Sequence, residues 1–251
     1  MSSNVRDYAA EVYLYGVVPA QTELPSDLQG VQAQPVHLVE HGRVAMLASE
    51  VDQDQELGTP DDLLAHTKTL DEVASHSPVL PLAFGTVLPD AQAVADDVLV
   101  PGEEAYHSAI QNVTGHAQYT LTVTFDRETL LREIVQEVPE AEQLRATIAG
   151  TTEDETRPQR IQLGELMVKA LEQRQPEAAA PVLERLNQVT DDLTEHERRQ
   201  PDDVTEVAAL VASHQTEAFE EAVEDLAREY HPRCKFRLVG PQAPYDFVPE
   251  V

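Results

Sequence analysis

The sequence predicts an α+β chain built in two parts, and three observations predict it. An apolar run from Val12 to Val18 and two further strand-like runs, Val36 to Glu40 and Arg43 to Val51, precede any helical pattern. Near the middle, Tyr119, Leu121, Val123 and Phe125 alternate with Thr120, Thr122 and Thr124, the period of a half-buried strand. Toward the end, Phe219, Ala222, Val223, Leu226 and Tyr230 recur at helical spacing and lead into a second alternation at Cys234, Phe236 and Leu238.

Taken in order, the first three runs form strands. His41-Gly42 separates the second from the third, and glycine supplies the positive φ of a tight hairpin. Thr59-Pro60-Asp61-Asp62 then places a hydroxyl cap, a first-turn proline and two carboxylates at the positive end of a helix. Leu63, Leu64, Thr67, Leu70, Val73 and Ala74 are expected to be its one buried stripe, ending near Ser77-Pro78. Val79 to Leu88 reads as an edge strand with a bend, because Pro81 cannot donate to a ladder and Gly85 tolerates an unusual dihedral. Acidic helical sequence follows from Asp90 to about Asn112, with an interruption expected at Pro101-Gly102, and Gly115 closes a first domain of residues 1–115.

The second domain, residues 116–239, opens with the threonine strand. Helical sequence runs from Arg127 to about Ile148, a loop from Gly150 to Pro158, and a helical insertion over about 158–200. Leu163, Leu166, Met167, Ala170 and Leu171 make one stripe there. After breaks at Pro176 and Pro181, Val182, Leu186, Val189 and Leu193 make another. Val204 to Val211 is the next strand, and the strongly amphipathic helix follows, its face worth about 1.5–3 kcal/mol per large side chain buried. His231-Pro232 ends that helix, and the last strand turns Lys235 and Arg237 outward. The succession strand, helices, strand, helix, strand predicts a ferredoxin-like α+β domain, with residues 240–251 as an extended tail packing on the domains.

The 251 residues, 41% of them hydrophobic, suffice for a sizeable core without staples. The lone cysteine, Cys234, excludes an internal disulfide, and the absence of a signal peptide or an apolar run near 20 residues makes cytoplasmic location the expectation, with no membrane span. The 46 acidic and 17 basic residues give a net charge of -29, with lysine only at 68, 169 and 235, so nucleic acid is not an expected partner. Screening falls from about 10 Å at 0.1 M salt to about 3 Å at 1 M. So acidic a surface predicts a protein of a salt-accumulating halophile, stabilised by high salt.

Chemistry-bearing patterns are scarce. His37 and His41 lie on a strand and turn, His231 to Cys234 lacks the second cysteine of a zinc site, and Cys234 faces the core. No nucleophile elbow, phosphate loop or dinucleotide fingerprint occurs. Acid pairs such as Glu103-Glu104 and Asp202-Asp203 follow from the density of carboxylates, and Asp52 to Gly58 lacks the downstream glutamate of a calcium loop. The expectation is a non-enzyme with no cofactor and no metal. Features suited to recognition remain. Lys235 and Arg237, beside Arg233, either neutralise a neighbouring acidic helix or anchor an acidic partner. Pro81, Phe84, Gly85, Gly240, Pro241, Pro244, Tyr245 and Phe247 are either architectural or an apolar strip for a partner.

The runs VLPLAFGTV (Val79 to Val87) and GPQAPYDFV (Gly240 to Val248), with YLYGVV (Tyr13 to Val18), VEHGRVAMLASEV (Val39 to Val51) and TEAFEEAV (Thr216 to Val223), resemble the gas vesicle protein F/L family in order and spacing. The chain departs from that pattern at Gln242 and Ala243, where the family carries a tryptophan and a further proline. The resemblance implies the same kind of fold and an accessory or minor structural role in gas vesicle formation. Its implied partners are the small hydrophobic shell protein and other accessory proteins, and its implied location is the gas vesicle or cytoplasm. The alternative from a different class is a small-ligand-binding regulatory module.

Overall fold

The structure is a computed structural model of the chain, and it describes residues 11–52, 55 and 57–248. The start of the chain and part of the Asp52 to Gly58 stretch considered above lie outside the described residues. Contacts divide the chain into two compact units, residues 1–118 with 241–251, and residues 119–240.

The first unit holds a sheet of β1 (Glu11–Pro19), β2 (His37–His41), β3 (Val44–Val51), β4 (Leu80–Pro81) and β5 (Val87–Leu88), in the order β2-β3-β1-β4 with β5 also on β1. Every pairing is antiparallel. The sheet is buried on both faces, which is why β1 and β3 read as nearly continuous apolar runs. On β3 the faces alternate strictly: Val44, Met46 and Ala48 join one core, Ala45, Leu47 and Val51 the other. On β1 a bulge between Leu14 and Gly16 inverts the parity. Val12 and Leu14 therefore share a core with Val17, and Tyr13 and Tyr15 share the opposite one with Val18. The two-residue hairpin after His41 has Gly42 at φ +56°.

One face is covered by α1 (Pro60–Ala74), whose Thr59 and Asp62 form the expected capping box behind Pro60. Its buried stripe differs from the expected one. Asp62, His66, Thr69, Leu70 and Val73 point inward, whereas Leu63 and Leu64 are 51% and 65% exposed. The cap sets this phase: the Asp62 carboxylate turns back to accept from the Gly58 and Thr59 N–H groups, and the following inward positions fall on His66 and Thr69. The other face is covered by α2 (Ala91–Ala93), a π-helical segment Val94–Leu99 and α3 (Val100–Val113). Pro101 does not interrupt this helix as expected. It stands at the start of α3, directly after the wider π turns, where the Val100 N–H donates to the Ala95 carbonyl.

A second sheet, whose strands lie mostly in the second unit, is made of β6 (His116–Phe125), β7 (Asp192–Glu195), β8 (Asp203–Ala212) and β9 (Cys234–Gln242) in the order β7-β8-β6-β9. Helices α4 (Arg127–Glu137), α5 (Pro139–Ile148) and α6 (Arg157–Leu186) lie between β6 and β7, and α7 (Thr216–Tyr230) lies between β8 and β9. This is the ferredoxin-like order. Tyr119, Leu121, Val123 and Phe125 are buried and the threonines between them half-buried. The helical insertion is corrected at its far end: helix stops at Leu186, and Leu193 belongs to strand β7. Nor do Pro176 and Pro181 break α6. Both are exposed, so the backbone groups they leave unpaired face water, and the inner line Leu171, Gln175, Ala179, Val182 and Leu186 runs past them uninterrupted.

Candidate functional site

The run from Val79 to Leu88 folds over an aromatic cluster in the first unit. Tyr13 and Tyr15 come from β1, His66 from α1 and Phe84 from the link between β4 and β5, with His66 stacked on Tyr15 at 5.6 Å and edge-on to Phe84 at 5.6 Å. The hydroxyls are consumed inside. Tyr13 hydrogen-bonds to His66 Nδ1 at 2.9 Å and accepts from the Gly85 N–H at 3.0 Å. Tyr15 accepts from the Val31 N–H at 2.7 Å and shares a bond with Ser49 Oγ at 2.9 Å. Burial pushes the Tyr13 hydroxyl up to about 12 and pulls His66 below the ordinary imidazole range, so the ring is held neutral. Gly30 makes room for this arrangement, because a Cβ there would lie 1.9 Å from the Tyr15 hydroxyl.

The closing segment meets the same unit. Ala243 is fully buried with Pro244 beside it, and the Ala243 N–H donates to the Asp71 carboxylate, which burial raises above its usual range. Gln118 and Asp246 grip each other reciprocally: the Asp246 N–H donates to Gln118 Oε1 at 3.0 Å and Gln118 Nε2 donates to the carboxylate at 2.5 Å. Phe247 and Val248 pack against the core on the other face of the sheet. Tyr245 stays 38% exposed, its hydroxyl pushed up to about 12 by burial and by the charge of Asp71.

The ten residues singled out from sequence fall in both units. Pro81 is buried opposite Gly16 on β1, and a Cβ at Gly16 would lie 2.6 Å from the Leu80 carbonyl. Phe84 and Gly85 (φ +89°) edge the aromatic cluster, and Pro244, Tyr245 and Phe247 belong to the closing segment. Gly240, at φ +147°, and Pro241 are exposed. Lys235 pairs at 2.8 Å with Asp126, the cap of α4, and holds that carboxyl well below its usual range. Arg233 pairs with Glu133 on α4 at 3.1 Å, while Arg237 has no ion pair among the described residues. Cys234 is buried, its thiol pushed up to about 11 by desolvation, far from the reactive range. Among the described residues no three of His, Cys, Asp and Glu converge as metal ligands, and no helix is long and apolar enough to cross a membrane.

The family model for the gas vesicle synthesis protein GvpL/GvpF matches residues 11–249. The chain belongs to this family. Relatives of this GvpL/GvpF member include gas vesicle protein F of Streptomyces sp., 29% identical over 94% of this chain and 98% of that protein. Gas vesicle protein F of Dolichospermum flosaquae is 24% identical over 94% and 97%, and gas vesicle protein F1 of Halobacterium salinarum 24% identical over 94% and 92%. The crystal structure of GvpF from Anabaena sp. superposes with a TM-score of 0.78 at 23% identity, covering 97% of this chain and all of that one. GvpF from Microcystis aeruginosa gives 0.76 at 22% identity, over 96% of this chain. The α+β fold is thus shared with solved GvpF chains.

Within this GvpL/GvpF chain the sequence reading missed His66, Asp71 and Gln118, each the internal partner of a motif it did find. The only signal was negative: a histidine, an aspartate and a glutamine at positions of otherwise apolar or strand pattern, which shows its meaning once the tyrosines and the closing segment are placed.

Proposed function

We propose that the chain is a non-enzymatic accessory or minor structural protein of gas vesicle formation that binds the hydrophobic shell protein together with other accessory proteins. The observation that carries this reading is the family match over residues 11–249. The chemistry of the first unit supports it, because the polar groups of the family-like motifs are spent on one another and leave apolar positions outside. Leu63 and Leu64 stand on the outer side of α1, Phe84 edges the aromatic cluster, and Tyr245 of the closing segment is partly exposed. Such a surface, set in an acidic ground, can cover an apolar edge of a shell subunit while the charge resists precipitation.

The test is capture of the shell protein on immobilised full-length chain in molar KCl. The double variant Leu63→Ser with Leu64→Ser is expected to cut capture at least about tenfold, because two exposed leucines contribute to an apolar contact and not to the core. Lys235→Glu should leave capture unchanged. No capture by the parent chain overturns the reading. The rival, a small-ligand regulatory module, has in its favour a cavity of about 370 Å³ in the second unit, lined by Phe125, Arg174, Tyr230, Arg233 and Cys234 among others. Saturable heat from a metabolite mixture that vanishes in Arg174→Met would favour it.

A further inference from the structure

Helix α6 carries an apolar line whose second half is core and whose first half is bare. Leu171, Gln175, Ala179, Val182 and Leu186 are buried in the second unit. The same line continued toward the N-terminus meets Val168, Gly164, Ile161 and Arg157, all exposed, with Ile161 54% and Val168 39% open to solvent. The opposite side of this half, with Leu163, Leu166, Met167 and Ala170, is half-buried, and α5 packs on α6. Nothing lies within 4 Å of a Cβ built on Gly164. A glycine inside an exposed helix costs about 1 kcal/mol against alanine. Here it leaves a notch between two exposed branched side chains.

The line is self-complementary. A two-fold axis drawn between Gly164 and Glu165 exchanges Ile161 with Val168 and Arg157 with Glu172. With a rise of about 1.5 Å per residue, the first two stand about 5 Å and the last two about 11 Å to either side of the axis. In an antiparallel pair of α6 helices, Ile161 of one copy meets Val168 of the other and Arg157 meets Glu172, each contact occurring twice. The two backbones approach at the Gly164 notches. Arg160 and Lys169 fall about a quarter turn from the line, on opposite flanks, and do not confront one another. Among the described residues neither Arg157 nor Glu172 has an ion pair within its own chain.

We infer that this half of α6 is an isologous docking surface for a second copy of the chain. The contact spans about 24 Å of helix, less than a standard interface requires, so the dimer is weak and forms where the protein is concentrated. The net charge of -29 on each copy opposes it at low salt. Molar salt screens that long-range repulsion more than it weakens ion pairs at contact.

Sedimentation velocity of the full-length chain over a concentration series, at 0.1 M and 2 M KCl, tests this. Reversible dimerisation is expected to strengthen with KCl. Arg157→Glu should weaken it about tenfold or more, because each of two symmetric pairs becomes a repulsion, and Arg157→Glu with Glu172→Arg should restore it. Thermal unfolding of each variant should match the parent, since both positions are exposed. A chain that stays monomeric at every concentration and salt overturns the inference, as does a dimer indifferent to Arg157→Glu or not restored by the double exchange. Loss of shell-protein capture in Val168→Asp while the parent remains monomeric would assign the surface to another partner and overturn it equally.

Discussion

Tyr15→Phe removes one oxygen from the interior of the first unit, and the structure fixes what that oxygen does. Tyr15, Val31 and Ser49 are all fully buried, and the hydroxyl is the acceptor for the Val31 N–H and the partner of Ser49 Oγ. The phenylalanine ring fits the same space, so no cavity forms and the loss is one of hydrogen bonding. A buried donor left unpaired costs about 1–3 kcal/mol. With a second, more adjustable orphan at Ser49, the total is about 2–4 kcal/mol, a large part of the roughly 5–15 kcal/mol that holds a domain. At about 2–4 °C per kcal/mol for a chain of this size the midpoint should fall by about 5–15 °C. Adding Ser49→Ala removes the second orphan and should recover about 1 kcal/mol, a coupling that a double-mutant cycle reads directly. The assay is urea unfolding in molar KCl, paired with hydrogen exchange of the Val31 amide, which reports this unit without assuming that both units unfold together. A loss below about 0.5 kcal/mol with Val31 protection unchanged would refute the argument that the hydroxyl is an internal strut.

Acid should destabilise the chain in two stages. The folded-state pKa of His66 is lowered by burial, so below its ordinary value of 6.5 the unfolded chain takes up a proton that the folded chain refuses, and stability falls as pH drops through that region. The carboxyls of Asp62, Asp126 and Asp202 are lowered by hydrogen bonds or cations, so their contribution is present above 3.8 and is lost as pH falls below it. His66→Gln should remove the upper stage and leave the lower, as read from unfolding midpoints between pH 8 and pH 3. Raising KCl from 0.1 M to 2 M should raise the thermal midpoint, because repulsion among 46 acidic residues is then screened over about 3 Å; an unchanged midpoint would remove the case for salt adaptation.

Features that declare themselves locally were legible. The capping box of α1, the hairpin glycine, the threonine alternation of β6 and the buried face of α7 each rest on a few neighbouring residues, and no distant contact can easily overrule them. What the pattern misjudged was settled at a distance. Leu63 and Leu64 match a helical stripe, but the Tyr13 hydroxyl across the core required a polar partner, and the capped phase of α1 delivered His66 there. The β1 bulge left no trace because a strand buried on both faces has no alternation to disturb. The prolines of α6 were discounted by where they fell, on the water side of a helix whose inner line never broke.

A motif residue reads as functional from sequence when its chemistry is unspent. Tyr13, Tyr15, His66, Asp71, Gln118, Asp126 and Lys235 are all spent on partners within the chain. Residues that do spend their chemistry outward are the ones sequence patterns discount: leucines on the outer side of α1, and an isoleucine, a glycine and a valine on the bare half of α6. In a chain so acidic, exposed apolar groups give a neighbouring molecule a reason to approach against the charge. On the proposed reading, recognition is set by where this acidic ground is interrupted.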